Sequence, residues 1–289
     1  MRAWLVAARP STLLAAVAPV LVGSGLAAAA DVFRWDAFAA ALAGAVLINL
    51  AANFANDASD AKRGADSDSR IGPPRAVATG LLTTRQVWTA TAIVVGIASG
   101  LGIYLASISS WAIIAVGAAS ILAMLGYTGG PMPYGYRALG EVFVFLFFGL
   151  AAVVGSRFVH DATAPRDAWL LAIPVGFLAT AILVANNVRD IETDERAGKR
   201  TLAVVLGRPA TRILFGSLIM GAFGLTAVFA ATGWTARGSL IALVALPLAY
   251  SPIRTVATSI DGPQLIGALR ANARLHLIFG ILLAVGVQF

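Results

Sequence analysis

The chain has 289 residues, is 59% hydrophobic and only 12% charged, carries a formal net charge of +7 and contains no cysteine. A water-soluble core is excluded by that composition, and disulfide or thiol chemistry by the missing Cys. The expectation is an all-α polytopic membrane protein, with residues 1–289 forming a single transmembrane domain.

Apolar runs near the roughly 20 residues that cross a bilayer predict about nine spans. They lie near 11–30, 36–56, 86–106, 110–127, 139–157, 168–187, 210–231, 236–252 and 272–288. The first run follows Arg2 and Arg9 and extends from Ser11 to Ala30. A cleavable signal segment has an apolar core of about 7 to 15 residues, so this run is expected to stay as the first span. Abundant small residues, including 29 Gly, suit close helix packing in lipid.

With the amino terminus inside, 17 of the 21 Lys and Arg residues fall on the cytoplasmic side. Only Arg34, Arg157, Arg166 and Arg237 fall on the other. The positive-inside rule favours that orientation, so the positive charge reflects topology, with membrane lipid as partner and no nucleic acid.

Two polar clusters interrupt the apolar chain, Asn53 to Arg70 and Asn186 to Arg200, and together they hold eight of the 14 acidic residues. An even number of spans separates them, which puts both on one side of the membrane. In the first, Asn49, Asn53, Asn56 and Asp60 draw a stripe down one helix face; in the second, Asn186, Asp190 and Asp194 repeat the i, i+4 spacing. Gly64 and Gly72-Pro73-Pro74 end the first helix, and Gly198 precedes Lys199 and Arg200. Carboxylates gathered at a low-dielectric mouth call for a hard cation, and Mg²⁺ takes one or two carboxylates, waters and substrate phosphates. Ordinary solvated loop charge is the bland alternative, disfavoured because intramembrane polar stripes are usually functional.

From Ala8 to about Gly207 the chain resembles the UbiA superfamily of intramembrane aromatic prenyltransferases, in particular its 1,4-dihydroxy-2-naphthoate branch. The resemblance begins with ARPSTL at Ala8 to Leu13. The first aspartate motif is similar to Asn56-Asp57-Ala58-Ser59-Asp60, continued by Gly64, Asp66, Asp68, Arg70, Gly72-Pro73 and Arg75. The second is similar to Asn186-Asn187-Val188-Arg189-Asp190-Ile191, followed by Asp194, Lys199 and Thr201-Leu202-Ala203-Val204. Tyr127 to Glu141 and Val144 to Gly149 resemble the naphthoate branch. Where the broader superfamily often has a further Asp four residues after the second, this chain has Gly64, and the acid comes at Asp66. Where some relatives carry a cation before the PYGY-like turn it has Met132, with Arg137 a few residues on.

That resemblance implies a UbiA-type bundle of about nine helices with a cytoplasm-facing site. It implies transfer of a polyprenyl group from polyprenyl diphosphate to 1,4-dihydroxy-2-naphthoate, with loss of CO₂ and diphosphate, to give demethylmenaquinol for menaquinone biosynthesis. Mg²⁺ would be held by Asp57, Asp60, Asp66, Asp190 and Asp194, and the diphosphate by Arg70, Arg75, Arg189 and Lys199. Asp60, Asp190, Asn56, Asn186, Tyr127 and Arg137 are the catalytic candidates. Tyr127, Tyr134 or the group Phe145, Phe147 and Phe148 would face a developing allylic cation; for the Phe residues lipid or packing contacts are the stronger reading. The setting is a cell inner (plasma) membrane, multi-pass, with amino terminus and site cytoplasmic.

Glu141 reads equally as a helix-start carboxylate and as a site residue. Asn49 is read as a ligand contact or as helix glue, and His276 with Asn272 as interfacial or hydrogen-bonded packing. Other acceptors, such as 4-hydroxybenzoate or homogentisate, fit the same metal chemistry. A transporter would bury its charges nearer the midplane. A CDP-alcohol phosphotransferase would show a D-G-x-x-A-R signature, absent here, and a purely structural protein would tolerate loss of every clustered Asp.

Overall fold

The computed structural model describes residues 2–64, 72 and 74–289, so Asp66, Asp68 and Arg70 lie outside the described residues. In chain order the helices are α1 (Arg2–Ala8), α2 (Pro10–Ala29), α3 (Trp35–Lys62), α4 (Thr84–Ile108) and α5 (Ala112–Thr128). They continue with α6 (Gly140–Asp161), α7 (Arg166–Arg196), α8 (Leu202–Ala231), α9 (Arg237–Thr258) and α10 (Gly262–Gly286). No strand occurs among the described residues; a single bridge joins the backbones of Arg137 and Arg200.

Each predicted apolar window falls on one of α2 to α10. Eight of these helices are long and apolar enough to cross a membrane, while α5, at 17 residues, is shorter. The helices overrun their apolar windows where the polar clusters begin: α3 continues to Lys62 and α7 to Arg196. Hydropathy loses these turns because their side chains are charged, yet the backbone stays helical until a glycine stops it. Gly64 and Gly198 take φ of +71° and +69° just past the two helix ends, a conformation that favours a residue without Cβ.

Two regions of packing set the frame. The larger core joins α2 and α6 to α10 around Leu171, Leu178, Phe215, Ile219, Leu275 and Phe279. Small residues bring these helices together: a Cβ on Gly149 in α6 would stand 2.6 Å from the Gly176 Cα in α7, and one on Gly280 would stand 2.6 Å from the Ala18 Cβ. A second, smaller cluster packs α1 against α3 and α4 around Phe54, Ala58, Leu82 and Val87.

The break between α1 and α2 occurs at Arg9, in a left-handed conformation (φ 48°), with Pro10 opening the next helix. Two amides of the α3 stripe hold that break. Asn53 Nδ2 donates to the Ala8 carbonyl at 2.8 Å and to Thr12 Oγ1 at 3.0 Å, and Asn49 Nδ2 to the Thr12 carbonyl at 3.0 Å. Asn272 and His276 are fully buried in α10, and His276 Nε2 lies 3.3 Å from the Ala15 carbonyl. Packing, not the interface, is their place.

Candidate active site

A cavity of about 550 Å³ runs between α2, α3, α4, α5, α6 and α7. Its polar end carries Asn53, Asn56, Asp60, Arg75, Asn186 and Lys199, and its remaining wall is mostly apolar, rich in Ala, Gly, Ile and Phe residues. Gly44, Gly102, Gly117 and Gly155 line that wall with nothing within 4 Å of where a Cβ would sit. One space thus joins a charged head region to an apolar body, the shape an amphiphile with a charged head requires.

Both carboxylate helices bring side chains to the polar end. Asp60, 1% exposed, accepts from Arg75 Nη2 at 3.0 Å and from the Tyr136 hydroxyl at 2.8 Å. Across from it, Asp190 is gripped by Arg189 through Nε at 2.7 Å and Nη2 at 2.6 Å, and the same Nη2 reaches Asn186 Oδ1 at 2.7 Å. Asp194 has Lys199 Nζ at 3.9 Å. Tyr136 joins the halves: Lys199 Nζ lies 5.3 Å and Arg63 Cζ 5.5 Å from its ring centroid, within cation–π range. Its segment is pinned on both sides, by the Ala138 amide donating to the Arg200 carbonyl at 2.8 Å and by Arg63 donating to the carbonyls of Thr128 at 3.1 Å and Gly130 at 2.6 Å.

Several sequence-predicted residues converge here: Asn56, Asp60, Arg75, Tyr127, Asn186 and Lys199 line the cavity, with Arg189, Asp190 and Asp194 buried beside its polar end. Asn56 Oδ1 accepts from the Thr128 hydroxyl at 2.8 Å, tying α3 to α5. The Tyr127 ring is clamped by two glycines; a Cβ on Gly135 or Gly140 would stand 3.1 or 3.2 Å from it. Tyr134 packs edge-on at 5.4 Å and donates to the Ala123 carbonyl at 2.8 Å. Burial raises its phenol above the usual range, so it remains a donor.

Others stand apart. Asp57 is fully buried, and its two oxygens accept the amides of Ala76 and Val77 at 2.9 Å each. It anchors the turn that delivers Arg75 and does not line the cavity. Arg137 is exposed and engaged through its backbone, and Met132 is 63% exposed, so neither side chain faces the cavity. Phe145 turns away to pack against Phe177 and Gly176, whereas Phe147 and Phe148 line the wall. A π-helical stretch over Phe145–Ala151 accompanies that division. Glu141 is buried and its Oε1 accepts from Asn187 at 2.8 Å, which links α6 to α7 behind the site.

Three cavity or rim residues escaped the sequence reading. Tyr136 stands two places after Tyr134 in PYGY, at the end of a short 3-10 turn, where its hydroxyl reaches Asp60 while that of Tyr134 reaches the Ala123 carbonyl. Phe143 lines the cavity and stacks on Tyr134 at 3.8 Å. Arg9 also lines it, and the Arg-Pro pair within ARPSTL was the available signal.

Residues 16–263 match the UbiA prenyltransferase family. The chain is 41% identical over 282 residues to a 1,4-dihydroxy-2-naphthoate octaprenyltransferase from Mycobacterium leprae, covering 97% of this chain and 94% of the relative. It is 33% identical over 292 residues to the Escherichia coli protein of the same name, covering 99% and 95%. Among solved structures it is similar to a UbiA homologue from Aeropyrum pernix (TM-score 0.69, 16% identity, 94% and 97% covered). Another similar structure is a UbiA homologue from Archaeoglobus fulgidus bound to GPP and Mg²⁺ (TM-score 0.67, 16% identity, 98% and 100% covered). A head-and-tail cavity under two carboxylate helices is thus joined to a sequence match over most of its length: the chain belongs to the UbiA prenyltransferase family.

Proposed function

We propose that this protein transfers a polyprenyl group from polyprenyl diphosphate to 1,4-dihydroxy-2-naphthoate, releasing diphosphate and CO₂ and forming demethylmenaquinol for menaquinone biosynthesis. The observation that carries the reading is the single cavity in which Asp60, Asn56, Asn186 and Lys199 head a wall of glycine, alanine and phenylalanine. The acceptor is supported by the relatives named for that substrate, at 41% and 33% identity. The membrane setting, with amino terminus and polar end toward the cytoplasm, is supported by the 17 basic residues on that side of the expected topology.

The chemistry of the donor set fits Mg²⁺. Asp60, Asp190 and Asp194 supply hard oxygens, and a magnesium ion needs only one or two of them when waters and phosphate oxygens complete its shell. No group of three His, Cys, Asp or Glu converges among the described residues, so they form no dedicated cage. Asp60 on α3, or Asp190 and Asp194 on α7, would hold an ion, which when bound would neutralise charge developing on the leaving diphosphate. Arg75, Arg189 and Lys199 add fixed positive charge at the same end. Within the reaction the allylic carbon–oxygen bond breaks and diphosphate leaves with the electron pair. Carbon 2 of the naphthoate bonds to the allylic carbon, and its carboxylate departs as CO₂, returning an electron pair to the ring. Tyr127 and the ring faces of Phe147 and Phe148 line the wall where positive charge on the prenyl group would be accommodated. Asp57 serves the site indirectly, by fixing the turn before α4.

Purified protein given 1,4-dihydroxy-2-naphthoate, 4-hydroxybenzoate or homogentisate, each with Mg²⁺ and an all-trans polyprenyl diphosphate, tests the assignment. Demethylmenaquinone after oxidation, with CO₂ in equal amount, is the expected result. Preference for 4-hydroxybenzoate with its carboxylate retained would refute the acceptor but leave prenyl transfer standing; counter-ion-dependent uptake without product would support a transporter.

A further inference from the structure

From Leu202 to Phe289 the chain carries six arginines and a single acid, Asp261. Arg208 pairs with Glu192 at 2.6 Å, and Arg212 donates to the Ser259 carbonyl at 2.6 Å. Asp261 accepts the Gln264 amide at the start of α10. Arg270 and Arg274, on α10, have neither an ion pair nor a hydrogen bond among the described residues.

Both side chains are exposed, and they share one face of α10 with Gly267, Ile278, Ile281 and Val285, which are exposed too. The opposite face, with Leu269, Asn272, His276 and Phe279, is buried. A helix face turned to lipid thus carries two cations one turn apart and apolar side chains along the turns that follow.

Their depth follows from the contact of α10 with α2, which runs parallel to it. His276 Nε2 lies 3.3 Å from the Ala15 carbonyl, and a Cβ on Gly280 would stand 2.6 Å from the Ala18 Cβ. At about 1.5 Å per residue, Arg270 stands about 9 Å before His276, and Pro10, which opens α2, about 7.5 Å before Ala15. Arg270 is therefore level with the start of the first span, and Arg274 lies one turn inside it. From there an extended side chain carries its guanidinium to the phosphate layer while its stem stays against acyl chains. This is the cytoplasmic face in the topology proposed above.

The structure assigns Arg270 and Arg274 as a binding site for the phosphate of an anionic phospholipid, with its acyl chains laid along Ile278, Ile281 and Val285. Residues one turn apart on a helix surface have Cβ atoms about 5–6 Å apart, so both guanidinium groups reach one phosphate, each through paired N–H donors. Gly267 leaves room for the headgroup, since nothing stands within 4 Å of where its Cβ would be. A zwitterionic headgroup brings the same phosphate with an ammonium that the two arginines repel, so the site selects lipids of net negative charge.

Native mass spectrometry of the purified full chain in detergent, titrated with phosphatidylglycerol or with phosphatidylcholine of the same acyl chains, measures this selectivity apart from turnover. For the first lipid bound, the wild type should favour phosphatidylglycerol by about tenfold or more. Replacing both residues, Arg270→Gln with Arg274→Gln, should cut that preference to below about threefold and leave phosphatidylcholine affinity unchanged. Arg237→Gln removes a charge at the other membrane face and should keep the wild-type preference. Equal affinity of the wild type for the two lipids would overturn the site, as would an undiminished preference in the double variant. A loss in Arg237→Gln as large as that in the double variant would also overturn it, because net charge would then set the preference. If the double variant does not elute as a folded monodisperse protein, Arg274→Gln alone carries the test, with a loss of about threefold or more expected.

Discussion

The Tyr136 hydroxyl donates to Asp60 Oδ1 at 2.8 Å while its ring lies between Arg63 and Lys199, which places one side chain in contact with both carboxylate helices' polar machinery. A hydrogen bond to a charged group contributes about 1.5–3 kcal/mol, or roughly tenfold to a hundredfold in rate if the reaction depends on it. Tyr136→Phe should lower kcat/KM within that range. Tyr136→Ala, which also removes the ring between the cations, should lower it further. Equal steady-state kinetics for Tyr136→Phe and wild type would take the hydroxyl out of the mechanism.

Asp60→Asn and Asp190→Asn each keep size and remove charge. Product formation should fall by at least a hundredfold in either variant while gel filtration in detergent shows a folded protein, and excess chelator should have the same effect on the wild type until Mg²⁺ is restored. A folded Asp60→Asn protein with normal turnover would remove that residue from the site.

Asp57 has a different expected phenotype from its neighbour three residues on. Because it satisfies the amides of Ala76 and Val77 in a buried turn, Asp57→Asn should destabilise the fold by about 1–3 kcal/mol. Thermal unfolding in detergent should show the loss, and activity per folded molecule should fall less than in Asp60→Asn. An unchanged melting temperature with abolished turnover would return Asp57 to the metal-binding set.

Arg137→Met should leave kcat and KM within about twofold of wild type, since surface substitutions away from buried networks usually act within ±0.5 kcal/mol. The side chain is exposed and only the backbone is engaged. Steady-state kinetics showing a tenfold loss would contradict that placement.

Gly149→Ala tests the helix contact behind the site. Its new Cβ would stand 2.6 Å from the backbone of Gly176, so α6 and α7 must separate. Overpacking of this kind costs about 1–3 kcal/mol, read as a lowered unfolding temperature. An unshifted transition would mean that α6 gives way more easily than its glycine contact implies.

The sequence by itself determined the class of fold and the two carboxylate helices. Length and apolarity are local properties, so the windows fell on helices, and the i, i+4 spacing of Asn186, Asp190 and Asp194 could be counted without knowing what they faced. Gly64 and Gly198 marked the ends because a left-handed residue is also a local requirement. Only the tertiary structure decided which side chain met which. Asp57 and Asp60 are one helical turn apart, yet one is consumed by backbone amides brought from Ala76 and Val77 and the other faces Arg75 and Tyr136. Arg137 and Lys199 are both site cations in the sequence reading, yet the Arg137 side chain is exposed while Lys199 Nζ stands over the Tyr136 ring. Such choices depend on contacts between residues tens of positions apart, where orientation is set by packing and buried hydrogen bonds, and no local pattern encodes that geometry.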